Sequence, residues 1–359
     1  MNVAPLPSPA LVPDPGTPAP TPVYGPSWVP AWVRRHAPAL ALVAFAITYP
    51  EFLTGSTPVL SAVVNPVGLL FLLGLYGGGV LLIRDVTIRW GKGWPSVLLL
   101  GAAYGILEEG IGTKTFFDPA LVGAAGAYGA SFGVNWLWAT ELTVFHAIFS
   151  IALPILTVDL LFPATRRERF LTGRVATGVL VAYLVTVALM FALFNRNYAL
   201  SLVLIIGSFA AALGLVAAAR WVPAAIPRLG ARNARRSAVA WPVLYGGAFV
   251  WLFFAINWIG PALHAPVVLL MALDVALPVA IGLRVAPELS GPDRAAGRWS
   301  FLVGCLSFLV VLAGILGVLG DYLVLPVIAA LGWLWVRQSR RYRTVDRIPT
   351  PPPGITPGA

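Results

Sequence analysis

The sequence predicts an all-α protein, a polytopic bundle of about ten transmembrane helices with both termini in the cytoplasm. Three observations lead to this prediction. Hydrophobic residues make up 58% of the 359 residues and charged residues only 11%, and the mean hydropathy is +0.84. The apolar residues fall into segments close to the roughly 20 residues that a helix needs to cross a hydrocarbon core. The basic residues lie between these segments in a pattern typical of membrane topology.

Each predicted span is an apolar run bounded by charged residues or by glycine and proline. In chain order the spans are residues 37–54, 66–84, 94–113, 136–161, 175–195, 200–219, 238–258, 262–283, 299–318 and 322–336. Together they form a transmembrane helical domain over residues 33–345. Tails at residues 1–32 and 346–359 are rich in proline and are predicted to be disordered, because this composition favours a solvated polyproline-like chain.

The positions of Lys and Arg test the number of helices, since a missed helix would scramble their distribution. With a cytoplasmic N-terminus, every Lys and Arg except Lys114 and Arg196 lies on the cytoplasmic side. Topology therefore accounts for the formal charge of +10, and no nucleic acid partner is expected. We expect the lipid bilayer to be the partner and a bacterial cytoplasmic membrane to be the location. The single Cys305 excludes a disulfide within the chain.

Ionisable side chains inside membrane helices are costly and usually face the bundle interior, where they serve a function. Those within the predicted spans are Glu51, Glu108, Glu109, Glu141, His146, Asp159 and Asp274. The helical rise places four of these carboxylates and the imidazole in the outer half of the bundle, and Asp159 near the inner face beside Arg166. Adjacent residues differ by about 100° around a helix, so Glu108 and Glu109 are not expected to point at one spot.

A glutamate shielded from water can take a proton from a water molecule, and a nearby imidazole can stabilise a developing oxyanion. We therefore predict Glu108, Glu109 and His146 as candidate catalytic residues. A supporting polar cluster is predicted from Glu51, Lys114, Glu141, Asn257 and His264. Within it, Lys114 would pair with one glutamate, and His264 or Asn257 would supply a second electrophilic group. No metal or other cofactor is expected, because the chain lacks the zinc-helix motif.

Two adjacent glutamates on one membrane helix, followed by a histidine deep in the next, resemble the CAAX prenyl protease type II and bacteriocin-processing (Abi) family of intramembrane proteases. The resemblance covers residues of about 94–160. It implies a glutamate-dependent peptidase, or an inactive relative, with a membrane-associated peptide or protein as substrate. The sequence departs from the family motifs at Thr113, Leu142 and Val268, where arginine, phenylalanine and asparagine would stand.

Two other classes of function remain open. In a proton- or cation-coupled transporter, the buried carboxylates, His146 and Asp274 would line one path, and proline-interrupted segments would form broken helices. In a membrane scaffold, the same side chains would hold helices together. A hydrolase requires a glutamate within hydrogen-bonding reach of His146, whereas a transporter requires Asp274 to join the same polar chain.

Overall fold

The computed structural model describes residues 28–225, 240–289 and 294–345. Within these ranges the α-helices are α1 Ala31–Ile47, α2 Val59–Val64, α3 Pro66–Leu72, α4 Gly78–Arg89, α5 Trp94–Gly105, α6 Pro119–Gly126, α7 Trp136–Phe145, α8 Leu153–Leu161, α9 Gly173–Leu193, α10 Leu202–Trp221, α11 Ala240–Ala262, α12 Val267–Leu289, α13 Ala295–Leu319 and α14 Val324–Val345. A 3₁₀ turn follows α8 at Pro163–Thr165. The predicted tails lie outside the described residues, except for residues 28–32.

The strands of the described chain form one short hairpin between α6 and α7. Strand β1, Ala130–Ser131, pairs antiparallel with β2, Val134–Asn135. The hairpin lies directly before the helix that carries His146, and the backbone N–H of Asn135 donates to the Phe116 carbonyl at 2.7 Å. This contact ties the start of α7 to the segment that follows the two glutamates.

Seven helices of the described chain are long and apolar enough to cross a membrane. They are Pro66–Arg89, Trp136–Leu161, Gly173–Leu193, Leu202–Trp221, Trp241–Ala262, Val267–Ala286 and Ala295–Leu319. The all-α membrane bundle is thus confirmed. The other three predicted spans are also helical, at residues 31–52, 94–112 and 324–345, but they do not belong to these seven. The count of ten and the cytoplasmic termini stay predictions.

Helix starts follow signals that the sequence carries. Asn65 precedes α3, its side-chain oxygen accepts the backbone N–H of Gly68 at 3.0 Å, and Pro66 occupies the first helical position. Both features satisfy or remove backbone donors that a helix start leaves unpaired. Ser201 caps α10 in the same way through the N–H of Leu204.

Four π-helical turns interrupt the helices of the described chain, and each carries a polar side chain near the bundle centre. They are Thr48–Phe52 with Glu51, Leu73–Gly77 with Tyr76, Ile106–Gly112 with Glu108 and Glu109, and His146–Ala152 with His146. A π turn widens the helix locally and is found frequently at functional sites. These irregular turns therefore carry the polar side chains of the candidate site.

The loops rich in basic residues meet at one end of the bundle, which we call the basic end. There the guanidinium of Arg84 donates to the Thr165 carbonyl at 2.8 Å, and Lys92 Nζ donates to the Val222 carbonyl at 2.7 Å. The hydroxyl of Tyr342, in α14, reaches the end of α8. The positive-inside rule makes this end the predicted cytoplasmic one.

The opposite end joins the loops that carry few charges. Lys114 Nζ donates to the Asn195 carbonyl at 3.2 Å, and the hydroxyl of Tyr128 donates to the Ala265 carbonyl at 2.7 Å. The structure therefore brings these loops together at the end opposite the basic end.

The span Trp136–Leu161 is the central helix, since 83% of its most apolar window is buried inside the protein. One apolar core packs on one of its sides, around α1, α4 and α9. A second packs on the other side, around α11 and α13. His146 lies between the two cores, with Tyr104 on one side and Phe145 on the other.

Candidate functional site

Glu108 and Glu109 both contact His146, which lies on the neighbouring helix. Glu109 Oε1 is 3.2 Å from the Nε2 atom of His146, and Glu108 Oε2 is 3.2 Å from the Nδ1 atom. We call these three residues the Glu–His cluster. The prediction that the two glutamates could not point at one spot is wrong, because the imidazole lies between them and offers one nitrogen to each. The π turn also departs from the regular helix on which the prediction relied.

His146 is held from several directions in a fully enclosed position. Its side chain is 3% exposed, and Nδ1 also lies 2.9 Å from the hydroxyl of Ser150, one turn later. The rings of Tyr76 and Tyr104 lie 6.3 and 5.9 Å away, centroid to centroid. These contacts fix the plane of the imidazole.

Glu109 is contacted by three polar groups on its two carboxylate oxygens. The hydroxyls of Thr113 and Thr115 donate to Oε2, that of Thr113 at 2.9 Å, while Nε2 of His146 lies 3.2 Å from Oε1. One proton is shared between Oε1 and Nε2, and with Glu109 ionised it stays on the imidazole. The three contacts hold the Glu109 carboxylate in one orientation.

Glu108 differs from its neighbour because it keeps a free acceptor. The residue is 2% exposed, and among the described residues Oε2 makes no hydrogen bond of normal geometry, despite its approach to Nδ1. The hydroxyl of Tyr104 is also without a hydrogen-bond partner in that part of the chain, and it lies beside the Glu108 carboxylate. Buried polar groups are nearly always hydrogen-bonded, so two such atoms side by side indicate a place for a small polar ligand such as water.

Glu51 extends the cluster toward α1. Its Oε1 accepts a hydrogen bond from the hydroxyl of Tyr76, and its Oε2 accepts one from the hydroxyl of Thr57. The Tyr76 hydroxyl also lies beside Glu108, so this tyrosine connects the two carboxylates. The helix continues past Pro50 through the π turn Thr48–Phe52, which carries Glu51.

Two glycines of α5 allow the helices that carry the Glu–His cluster to approach each other. A Cβ atom on Gly101 would lie 2.8 Å from the Cα atom of Ala147, and one on Gly105 would lie 3.0 Å from the Cβ atom of His146. Such close approach is what small residues spaced four apart permit between membrane helices. This contact brings residues 108 and 109 within reach of the imidazole.

Four residues of the predicted supporting cluster lie elsewhere. Lys114 binds the carbonyls of Phe194 and Asn195 rather than a glutamate, because a backbone with φ of 66° turns it toward α9. Glu141 is buried on the other face of α7, within electrostatic range of Asp274. Asn257 Nδ2 donates to Asp274 Oδ1 at 2.8 Å, and His264 is exposed near the end of α11.

Among the described residues, the Glu–His cluster is a group that could hold a metal ion. One ligand atom from each of its residues lies within 4.8 Å of the others. Zinc binds such nitrogen and oxygen atoms at about 2.0–2.2 Å, so modest side-chain movement would bring all three to one ion. His264, the remaining histidine of the predicted cluster, is not part of this group.

The residues predicted from the sequence do not include the hydroxyl groups that surround the Glu–His cluster and Glu51. These belong to Thr57, Tyr76, Tyr104, Thr113, Thr115 and Ser150. Tyr104 and Thr113 could have been found, because each lies four residues from a candidate glutamate and so shares its helix face. No local spacing links Tyr76 to the glutamates, since it comes from a different helix.

A family model described as an uncharacterized membrane protein family matches residues 40–344, most of the chain. No curated protein and no solved structure matches. The match agrees with a multi-pass membrane protein in contact with the lipid bilayer. Nothing in these comparisons relates the chain to the intramembrane proteases that residues 94–160 resemble.

Proposed function

The chain belongs to this uncharacterized membrane protein family, and on that premise we propose that the Glu–His cluster is a hydrolytic centre that cleaves a membrane-associated peptide. One observation carries the proposal. An imidazole stands between two carboxylates, and one of them, Glu108, keeps an oxygen with no hydrogen bond to the described residues. This arrangement places a base that can activate water, Glu108, beside a hydrogen-bond donor, the hydroxyl of Tyr104, in one enclosed site.

Glu108 would act as the general base. Its free Oε2 takes a proton from water, and the water oxygen forms a bond to the carbonyl carbon of the peptide. The carbonyl oxygen becomes an oxyanion as the electron pair moves onto it. The hydroxyl of Tyr104, which is buried and unpaired among the described residues, supplies a donor to that oxygen. Glu108 then gives its proton to the leaving nitrogen as the carbon–nitrogen bond breaks.

Glu109 and Ser150 would position His146 rather than touch the substrate. Glu109 accepts from Nε2 and is itself held by two threonine hydroxyls, so it keeps the ring in one orientation. The imidazole in turn positions the carboxylate of Glu108, whose Oε2 lies 3.2 Å from Nδ1. Tyr104 takes the role that was predicted for Asn257 or His264.

The depth of the cluster indicates the direction of substrate entry. Glu108 follows Trp94 by fourteen residues, or roughly 21 Å of helix from the basic end. It lies only four residues, roughly 6 Å, before the last residue of the π turn, Gly112. A peptide would therefore reach the cluster from the end opposite the basic end, or from within the bilayer.

The transporter alternative has less support from the contacts. Asp274, which such a path would include, is hydrogen-bonded to Asn257 and not to the Glu–His cluster. The side chains of Glu51, Tyr76, Glu108 and His146 do form a series of neighbouring polar groups inside the bundle. A proton path through this series would depend on Glu51, whereas hydrolysis depends first on Glu108.

The experiment compares peptide termini in membranes and medium from cells that produce the wild type or the variants Glu108→Gln, Glu109→Gln and His146→Ala at equal levels. Removing a general base slows such chemistry by about 10²–10⁴-fold, so specific termini should disappear with Glu108→Gln. Glu141→Gln is the matched control, because Glu141 is equally a buried glutamate but lies on the other face of α7, toward Asp274.

Two results would contradict the proposal. The first is an unchanged set of termini in all three variants while each remains folded in the membrane. The second is loss of the termini with Glu141→Gln as well, which would indicate a general effect on folding. Incubation of the purified protein with a chelator adds a further test. The metal-free mechanism predicts no loss of activity, whereas loss restored by Zn²⁺ would contradict it and favour a metal site at the Glu–His cluster.

A further inference from the structure

Two cavities meet at the basic end and differ in character. The first, about 600 Å³, lies between α4 and α8 and is lined by apolar side chains together with the basic and polar ones that distinguish it, and we call it the polar cavity. The second, about 740 Å³, is lined mainly by apolar side chains of α5, α8, α12 and α13, and we call it the apolar groove. They share three lining residues, Trp94, Arg166 and Arg167. The two cavities are therefore adjacent parts of one amphiphilic surface.

The described lining of the polar cavity and its border with the groove is strongly basic. Its basic side chains are Arg84, Lys92, Arg166, Arg167 and, on the groove side, Arg298; its acidic side chain is Asp159. Such an excess of positive charge favours an anionic ligand. Guanidinium groups bind phosphate with several donors at once, which gives geometric specificity as well as attraction.

Not all of these cations serve the fold. Arg84 and Lys92 already bind backbone carbonyls and hold the loops together. Arg166 is 47% exposed and forms an ion pair through Nε with Asp159, a carboxylate that it shares with Arg84. The side chain of Arg167 is exposed and forms no ion pair within the described chain. The two adjacent arginines at the junction of the cavities are thus the ones placed to bind a ligand.

The apolar groove has the length of one membrane leaflet. Its lining residues on α12 run from Val275 to Leu289, a helical rise of roughly 21 Å. Half of a bilayer that includes its headgroup region is about 20–22 Å, so the groove reaches from the basic end to about the middle of the membrane. An extended apolar chain that lies parallel to the helices fits this shape.

We propose that this surface is a binding site for an anionic phospholipid, with its phosphate at Arg166 and Arg167 and an acyl chain in the apolar groove. The basic end is the predicted cytoplasmic one, where anionic lipids attract basic segments near the surface. The apolar chain distinguishes this ligand from free phosphate, and the net negative charge distinguishes it from a zwitterionic lipid. The proposal does not depend on the hydrolytic centre.

The experiment measures lipid binding by native mass spectrometry of the delipidated, full-length protein. Phosphatidylglycerol and phosphatidylcholine with the same acyl chains are added separately, and inorganic phosphate is added as a competitor. Each arginine near the membrane surface contributes about 1 kcal/mol to binding of an anionic lipid. Two arginines should therefore make the wild type prefer phosphatidylglycerol by roughly thirty-fold. The double variant Arg166→Gln with Arg167→Gln should remove most of that preference.

Two further variants make the test specific. Arg89→Gln with Arg174→Gln removes the same charge from exposed arginines that line neither cavity, and the preference should persist. Gly282→Trp adds a large side chain to the groove, where a Cβ would meet no atom within 4 Å. It should weaken binding of both lipids without changing binding of inorganic phosphate.

Several outcomes would overturn the proposal. Equal binding of the two lipids by the wild type would show that the arginines do not select an anion. Equal loss in the Arg89 and Arg174 double variant would show an effect of net charge alone. Displacement of phosphatidylglycerol by millimolar phosphate, with no effect of Gly282→Trp, would identify a site for free phosphate rather than for a lipid.

Discussion

Substitution of Gly101 by alanine tests whether close packing of α5 on the central helix sets the geometry of the Glu–His cluster. The new Cβ would lie 2.8 Å from the Cα atom and 3.1 Å from the carbonyl oxygen of Ala147. Carbon atoms in favourable contact are about 3.5–4.0 Å apart, so the two backbones would have to separate by roughly 1 Å. The obstructing atoms are backbone atoms, which cannot rotate away.

The cost follows from two opposing effects. Overpacking of a close contact costs about 1–3 kcal/mol, while replacing glycine by alanine in a helix gains about 1 kcal/mol. We therefore expect Gly101→Ala to lower the free energy of unfolding by about 1 kcal/mol. A displacement of about 1 Å between a base and its partner group can reduce a catalysed rate by about 10²-fold, so peptide cleavage should fall much more than stability.

Denaturant unfolding of the purified protein in detergent micelles measures the first effect, and the peptide-termini assay measures the second. Gly178→Ala is the matched control, because a Cβ atom on this exposed glycine of α9 would meet no atom within 4 Å. It should leave cleavage unchanged and raise stability slightly. If Gly101→Ala matches this control in both measurements, close packing at Gly101 does not position the cluster.

Two ion and hydrogen-bond contacts outside the cluster lead to further predictions. Asp85→Asn should lower the free energy of unfolding by about 2 kcal/mol, because the buried Asp85 carboxylate accepts charge-assisted hydrogen bonds from Arg169. The control Glu168→Gln alters an exposed side chain and should leave the free energy of unfolding nearly unchanged. Asn257→Leu should lower the free energy of unfolding by about 1–3 kcal/mol, because it leaves the buried Asp274 without its hydrogen-bond donor. Replacing both residues with leucine should lower it by less than the single change, because no buried polar group then remains unpaired. An additive double variant would contradict the view of these two residues as a self-contained structural pair.

The candidate residues could be predicted from the sequence because a charge within an apolar segment is visible without any structure. Glu108, Glu109 and His146 were identified in this way, and the structure brings all three together. Their catalytic role stays a proposal. The same criterion also selected Glu141, which the structure places on another face of α7. Burial alone does not say which buried groups meet.

The four π turns explain why the local geometry of the site could not be predicted. A regular 3.6-residue helix separates neighbouring glutamates by about 100°, and this value led to the wrong expectation for residues 108 and 109. The sequence contains no simple signal for a π turn. Tyr76 likewise joins the site from another helix, so its role depends on how α4 and α5 pack.

The sequence by itself determined that this protein is an all-α membrane bundle, since apolar segment length and charge distribution depend on the chain and the bilayer alone. It also limited the candidate site to a few ionisable residues. Only the tertiary structure decided which of them meet, because contacts between distant helices depend on the packing of Gly101 and Gly105 and on turns that depart from regular helix. Those long-range contacts leave no periodic trace in the sequence.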